Sequence, residues 1–527
     1  MRIEKIALGE TGNFSPLFLD YLEGKKQLNG YYGKAPVIEN FKEQIENKSL
    51  NPESRGVLHE VLKSQYQQLE THDLLRKNID LLKADNTYTI TTGHQLNIFT
   101  GPLYFIYKIV TVINICKQLK GKYPDYNFIP VYWMATEDHD FAEINHFNLF
   151  GKKYEWETDQ KGAVGRFNPA SIKSILDQLP EHSELFEEAY LKHGSLADAT
   201  RYYVNALFGK EGLVVIDADN AQLKGLFRNI IKDDLFNHRA NDMVESASSD
   251  LAKEGYRSQV YPRSINFFYL ENGSRERIIR EDDSFVVRNT DLKFSKEEIE
   301  DQLEKHPDRF SPNVITRPLY QETVLPNLAY IGGPAEIAYW LQLKRIFDYY
   351  KVPFPILMPR NFALVINKAN VKKIKKLGLG SCELFLDLQS LKTGFIERNS
   401  ESTFSLERER EILNEVYQSV SNIAAAVDKS LEGLIGAEAN KALKGIENIE
   451  KRLKKAEEKK QETALIQLQN VKEKLFPGGG LQERIDNFLN FYFNNPEFIE
   501  QLCNCLDPFD YRFNIILEDE TSHTRNT

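Results

Sequence analysis

β-branched and aromatic residues fill two short runs, TYTITT at Thr87–Thr92 and FIPVYWMA at Phe128–Ala135, with a helix-patterned segment between them. Runs of this length and composition read as buried strands, and strand, helix, strand in that order is a βαβ unit. GLVVIDADN at Gly212–Asn220 and FPILMPR at Phe354–Arg360 repeat the strand pattern. NLAYIGGPAEIAYWLQLKRIFDYY at Asn327–Tyr350 repeats strand, glycine turn, helix, with Pro334 at the helix entrance, where a missing N–H costs nothing. The alternation predicts an α/β chain whose core is a doubly wound parallel sheet carrying insertions.

Around that core the periodicity changes three times. Residues 1–85 show helical patterns and few strand signals, so a helical lead-in is expected. The core, 86–400, is interrupted by a polar stretch at about 151–205 and a β-rich one at about 256–315. In the second, Asn272-Gly273 marks a hairpin turn. From 401 to 477 apolar residues recur at spacings of mostly three and four, through Leu413, Val416, Val420, Ile423, Val427 and Leu434, then Ile446, Ile449 and Leu453. Gly433 and Gly436 interrupt them, and Phe476-Pro477-Gly478-Gly479-Gly480 stops them. An antiparallel coiled-coil hairpin is the prediction, with a seam able to recruit a second chain and a C-terminal segment, 478–527, beyond it.

Chemistry concentrates where strands end. In open parallel sheets ligands collect outside the carboxyl ends of the strands, so TTGHQLNIFTGPLYF and WMATEDHDFAEINH place Gly93, His94, Gln95, Asn97, Glu137, Asp138, His139 and Asp140 around one expected crevice. Thr100 reads as an N-cap with Pro102 in the first turn, and the unpaired N–H groups there suit an anion. His94 suits contact with a phosphate or carboxylate, or proton transfer. Three carboxylates surround His139 in sequence, which is expected to raise its pKa and fit it to take a proton from an amine. Gly332 and Gly333 allow close backbone approach, Glu336 falls in a first helical turn, and Arg263, Arg317 and Arg360 offer forks for a dicarboxylate or phosphate. Each also has a bland reading: turn histidine, helix cap, dipole partner or surface ion pair.

Charge and composition narrow the classes. With 77 acidic residues against 67 Lys and Arg, the net charge of −10 argues against nonspecific nucleic-acid binding. No apolar run reaches membrane-spanning length and the first residues lack a secretory apolar stretch, so no membrane association and a cytoplasmic location are expected. Four cysteines are too few for a disulfide scaffold, Cys503 and Cys505 have no second cluster, and His139 and His146 are seven apart, so no metal is expected. Neither G-x-x-x-x-G-K-[ST] nor G-x-G-x-x-G occurs.

TTGHQLNIFTGPLY, PVYWMATEDHDFAEINH, RPLYQETVLPNLAYIGGPAEIAYW and FPGGGLQER, in that order, resemble the BshC family of cysteine-adding enzymes of bacillithiol biosynthesis, and the likeness covers essentially the whole chain. The resemblance implies a Rossmann-like core with two insertions and a C-terminal coiled coil that supports a homodimer. It also implies a ligase joining L-cysteine to the amine of glucosaminyl-malate, with an adenine nucleotide, ATP or ADP, as a suspected ligand. Gly93-His94-Gln95 is similar to the nucleotide-binding HIGH element of class I aminoacyl-tRNA synthetases. A carboxylate is a poor acyl donor, so amide formation requires activation of the cysteine. The expected division of labour puts His94, Asn97 and the Thr100 turn on the activated group, His139 with Asp138 on the amine, and Arg317 on malate, with Gly93, Gln95, Gly332, Gly333 and Glu336 lining the substrate site. The alternatives are a synthetase-like nucleotidyl transferase acting on another small acceptor and a non-enzymatic coiled-coil scaffold.

Overall fold

A computed structural model of the chain describes residues 2–271, 273–400 and 405–518. It divides into two compact units, one built from 1–365 with 480–527 and the other from 366–479.

The first unit is organised by five parallel strands: β1 (Thr87–His94), β2 (Asn127–Met134), β3 (Val214–Asp217), β4 (Asn327–Gly332) and β5 (Ile356–Pro359). Their order is β5-β4-β1-β2-β3, so the chain builds outward from β1 in one direction and then returns to build on its other side. That is the doubly wound, Rossmann-like topology, and its switch point lies between β1 and β4. Helix α1 (Tyr104–Lys122) crosses from β1 to β2, α2 (Ala221–Asn237) follows β3, α3 (Arg317–Val324) precedes β4, and α4 (Pro334–Trp340) follows it.

Burial on both faces explains why these strands read as continuous runs. Ile90 of β1, Leu328 and Ile331 of β4, and Ile356 and Met358 of β5 share one core with Val112, Ile115 and Leu119 of α1. Each such side chain contributes about 1.5–3 kcal/mol on burial. The threonines of β1 bring hydroxyls into that core, and the neighbouring strand satisfies them. Thr89 and Thr91 donate to Asn327 Oδ1 at 3.2 and 2.8 Å, and Thr92 donates to the Ile331 carbonyl at 2.8 Å. These bonds cross the switch point and fix the register of β1 against β4.

Several sequence expectations need correction. The lead-in is not wholly helical: Arg2–Ile6 is a strand paired antiparallel with Phe513–Leu517, so the C-terminal segment closes a sheet with the N-terminus. The second excursion forms a five-stranded antiparallel sheet, including the Phe267–Glu271 and Ser274–Glu281 hairpin, with Glu271 opposite Ser274. Asn272 of the expected turn lies outside the described residues. The first unit ends at 365, short of the expected 400, because Lys368–Leu377 and Leu388–Asn399 are helices of the second unit.

That second unit also contains helices Glu407–Val427, Glu432–Lys460 and Glu462–Leu475. The first two pack along each other as a hairpin. The reversal occurs at Asp428, whose side chain accepts from Ser430 N at 2.8 Å, while Gly433 and Gly436 sit inside the following helix. A capped turn breaks a helix more sharply than a glycine, which costs an exposed helix only about 1 kcal/mol. The heptad residues Val416, Ile423 and Val427 remain exposed on this unit. Among the described residues no helix is long and apolar enough to cross a membrane.

Candidate functional site

The carboxyl ends of β4, β1 and β2 open into a cleft of about 830 Å³ within the first unit. Its lining holds seven lysine and arginine side chains against four carboxylates, in a chain whose net charge is −10. The local excess of positive charge attracts anions.

At the switch point, α1 contributes Lys108, which sequence reasoning missed. Its Nζ donates to the Gly93 carbonyl at 2.9 Å and pairs with Glu336 at 2.6 Å. A lysine amid the apolar residues of α1 was the available signal, because a cation in a buried helix requires a partner. Both Glu336 oxygens are engaged: Tyr330 Oη donates to one at 2.6 Å, and the Gly333 N–H to the other at 2.9 Å, so Glu336 caps the start of its own helix. Burial alone would raise the Glu336 carboxyl, but Lys108 and these donors hold it below its usual value. Glu336 therefore fixes the turn and neutralises Lys108, and its carboxylate, both oxygens already accepting, lines the cleft. Gly332 is not part of the cleft wall, since its carbonyl accepts from Arg360 N, whereas Gly333 is.

Arg317 enters from α3. Its guanidinium donates to Tyr339 Oη at 3.2 Å and Gln321 Oε1 at 3.1 Å, with no ion pair among the described residues. A half-buried arginine held by neutral groups keeps its charge available to a ligand. Gly93 makes room for it, because a Cβ there would lie 3.3 Å from both Arg317 Nη1 and Tyr330 Oη. Arg360 also lines the cleft but is neutralised by Glu483 at 2.6 Å. Exposed Arg263 stands at the rim.

His94 lies in the wall as expected, its ring 5.1 Å from Phe105 and 5.4 Å from Tyr104. Burial, reinforced by Lys108 and Arg360, holds its pKa well below the usual value, so the imidazole is neutral near pH 7. Its Nε2 is buried without a partner.

The turn after it departs from expectation. Thr100 is no helix cap: α1 begins at Tyr104, and Phe99, Thr100 and Gly101 all have positive φ, of 51, 71 and 62°. A Cβ on Gly101 would come within 2.5 Å of Asn97 Cβ, so only glycine fits. Asn487 stabilises the strained turn by donating to the Phe99 and Gly101 carbonyls at 2.7 and 2.6 Å, and Leu103 N donates to Asp486 O at 2.7 Å. Asn97 and Thr100 are buried and outside the cleft lining, and Asn97 Nδ2 instead holds the Glu143 carbonyl. The helix start is thus occupied by the C-terminal segment, and the expected anion site there is absent.

The β2 end carries the carboxylates. Glu137 pairs with Lys224 of α2, and burial pushes its carboxyl up to about 7 against the pull of that lysine. For Asp138, burial is outweighed by the Gln95 amide at 2.9 Å, by Arg275 and by its own turn N–H groups, so its pKa is lowered. His139 lies outside the cleft lining. Its Nδ1 accepts from Arg275 Nη1 at 2.8 Å. Burial and Arg275 lower its pKa, overriding Asp138 and Asp140, which reverses the direction expected from sequence. Arg275 comes from the antiparallel sheet, and nothing local in SRERIIRE reveals where it points. Among the described residues no group of three or more His, Cys, Asp or Glu is arranged to hold a metal.

Known proteins match over nearly the whole length. The family model described as "Bacillithiol biosynthesis BshC, N-terminal Rossmann-like domain" matches residues 1–361, and that of the "C-terminal coiled-coil domain" matches 363–518. Proteins named "Putative cysteine ligase BshC" from Flavobacterium psychrophilum and Flavobacterium johnsoniae are 46% and 45% identical, covering 98% of this chain and 99% and 100% of their own lengths. One of the same name from Chlorobaculum tepidum is 30% identical over 88% of this chain and 89% of its own.

Proposed function

The chain belongs to the BshC family of bacillithiol biosynthesis, and from that premise we propose that it is a cysteine ligase forming an amide between L-cysteine and the amine of glucosaminyl-malate. The observation that carries this reading is the polarity of one cleft. Arg317, a cation with no carboxylate partner, stands at the β4 side, and Glu137, a carboxyl poised near pH 7, stands at the β2 side.

A substrate with a dicarboxylate at one end and an amine at the other fits that polarity in one orientation. Arg317 grips malate with its fork, supported by the Tyr339 hydroxyl. The amine arrives as an ammonium, is drawn to the Asp138 and Glu143 side, and gives its proton to Glu137, which a carboxyl near pKa 7 accepts without a large penalty. Glu137 thus takes the part the sequence assigned to His139, which lies outside the cleft wall with its Nδ1 occupied. Neutral His94 lies in the wall between the two ends, beside the site of the cysteine acyl group.

With Arg317 taken by malate, Arg484 is a cleft cation left to hold the phosphates of ATP or ADP, and ATP would supply the leaving group that the cysteine carboxylate lacks. The test is reconstitution of the purified chain with L-cysteine and glucosaminyl-malate, with ATP and without. Formation of the cysteinyl amide, read as the mass gain on the amine, is expected only with ATP. Unchanged glucosaminyl-malate in both mixtures overturns the reading.

The exposed heptad face of the second unit fits a second copy of this chain. Val416, Ile423 and Val427 would form its seam, because an apolar stripe left in water favours association. Sedimentation equilibrium is expected to give a dimer for the native chain and a monomer for Ile423→Lys with Val427→Lys. A native monomer at micromolar concentration removes the proposal.

A further inference from the structure

Between the helix Arg239–Lys253 and the antiparallel sheet, residues 256–266 run along the cleft with no regular secondary structure, yet they are anchored at both ends by buried polar groups. Gln342, 1% exposed, accepts from Gln259 N at 2.8 Å and Val260 N at 3.1 Å, and donates to Val260 O at 3.0 Å. At the other end Asn266 accepts from Arg263 N at 3.1 Å and donates to Arg263 O at 2.9 Å. Fully buried Asp234 in turn holds Asn266 through its N–H at 2.6 Å and its amide at 3.1 Å.

Between the anchors stands Tyr261, 71% exposed although it lines the cleft. The next residue, Pro262, is buried; its ring fixes its own φ and restricts the backbone of Tyr261. A large ring held out in water on a rigid strap loses little entropy when it meets a ligand, since only its two side-chain torsions remain to be fixed. One open face beside an anion-binding cleft suits a partner that is apolar on one side and hydrated on the other. A pyranose is such a partner, because its C–H face packs on the electron-rich aromatic face while its hydroxyls stay in water. A nucleobase, flat and apolar on both faces, is better served by enclosure.

We propose that Tyr261 is the sugar platform of the cleft, stacking on the amino-sugar ring of the acceptor and so discriminating a glycoside of the dicarboxylate from the free dicarboxylate. The inference rests on the acceptor assigned above. Calorimetric titration of the full chain with glucosaminyl-malate, malate and ADP tests it without requiring turnover. Tyr261→Ala is expected to weaken glucosaminyl-malate about tenfold, the ratio corresponding to about 1.4 kcal/mol, with malate and ADP unchanged and Tyr261→Phe close to native. Equal affinity of the alanine variant for the glycoside, a parallel loss for malate, or a loss confined to ADP overturns the inference while leaving the acceptor in place. A native chain that fails to bind the glycoside at all overturns the acceptor assignment, and the platform with it.

Discussion

Glu137→Gln is expected to lower kcat by about 10² to 10⁴, the range over which a positioned base contributes, while leaving the affinity for malate near that of the native chain. Burial pushes the Glu137 carboxyl up to about 7, and the group works as a base only when ionised. The native kcat/KM should therefore rise with pH through about 7 and level off above it. The glutamine variant keeps the shape and the hydrogen-bonding capacity of the side chain but cannot titrate, so its profile should lose that inflection. Any inflection left would report the ionisation of the amine substrate. A pH profile measured on both proteins decides the matter: a variant that retains native turnover, or the same midpoint near 7, eliminates Glu137 as the proton acceptor. His139→Ala serves as the contrast. His139 lies outside the cleft lining and its Nδ1 already accepts a hydrogen bond from Arg275, so its loss should act only through the position of Arg275.

Breaking the Arg360–Glu483 pair is expected to have the largest effect on stability. Both side chains are buried, at 3% and 1% exposure, and the second Glu483 oxygen accepts from Ala363 N at 3.0 Å. Glu483→Ala leaves a guanidinium without a counter-charge and a backbone donor without an acceptor. Removing one partner of a buried pair costs about 3–5 kcal/mol. Urea denaturation monitored by tryptophan fluorescence should show a markedly lower midpoint, and the double variant Arg360→Met with Glu483→Leu should recover much of it, because two apolar side chains leave no buried charge. A single variant within about 1 kcal/mol of native would show that water reaches the pair. Activity should fall along with stability, since the Arg360 side chain that Glu483 positions lines the cleft.

The parallel sheet was legible because its strands are buried on both faces and so appear as continuous β-branched runs. Of the strand-end residues that topology alone placed near one crevice, Gly93, His94, Gln95, Glu137 and Asp138 line it, as do Gly333 and Arg317 from the turn and helix beside β4, whereas Asn97, His139 and Asp140 do not. Thr100 and Asn97 were misplaced for one reason. The sequence shows a threonine before Gly-Pro and a helix, but not the distant Asn487 and Asp486 that occupy the turn and hold it in a left-handed conformation. The protonation of His139 failed similarly, since neighbouring carboxylates are visible in sequence whereas Arg275, 136 residues away, is not.

The sequence alone determined the order of strands and helices, the heptad face and the family, because periodicity and contiguous motifs are local properties of the chain. Only the tertiary structure decided which charges remain available. Lys108 is cancelled by Glu336 and Arg360 by Glu483, and burial and Arg275 push the pKa of His139 down, whereas Arg317 donates only to neutral groups and burial drives Glu137 up to about 7 against the pull of Lys224. Charge state depends on desolvation and on partners brought in from elsewhere in the chain, and neither exists until the chain has folded.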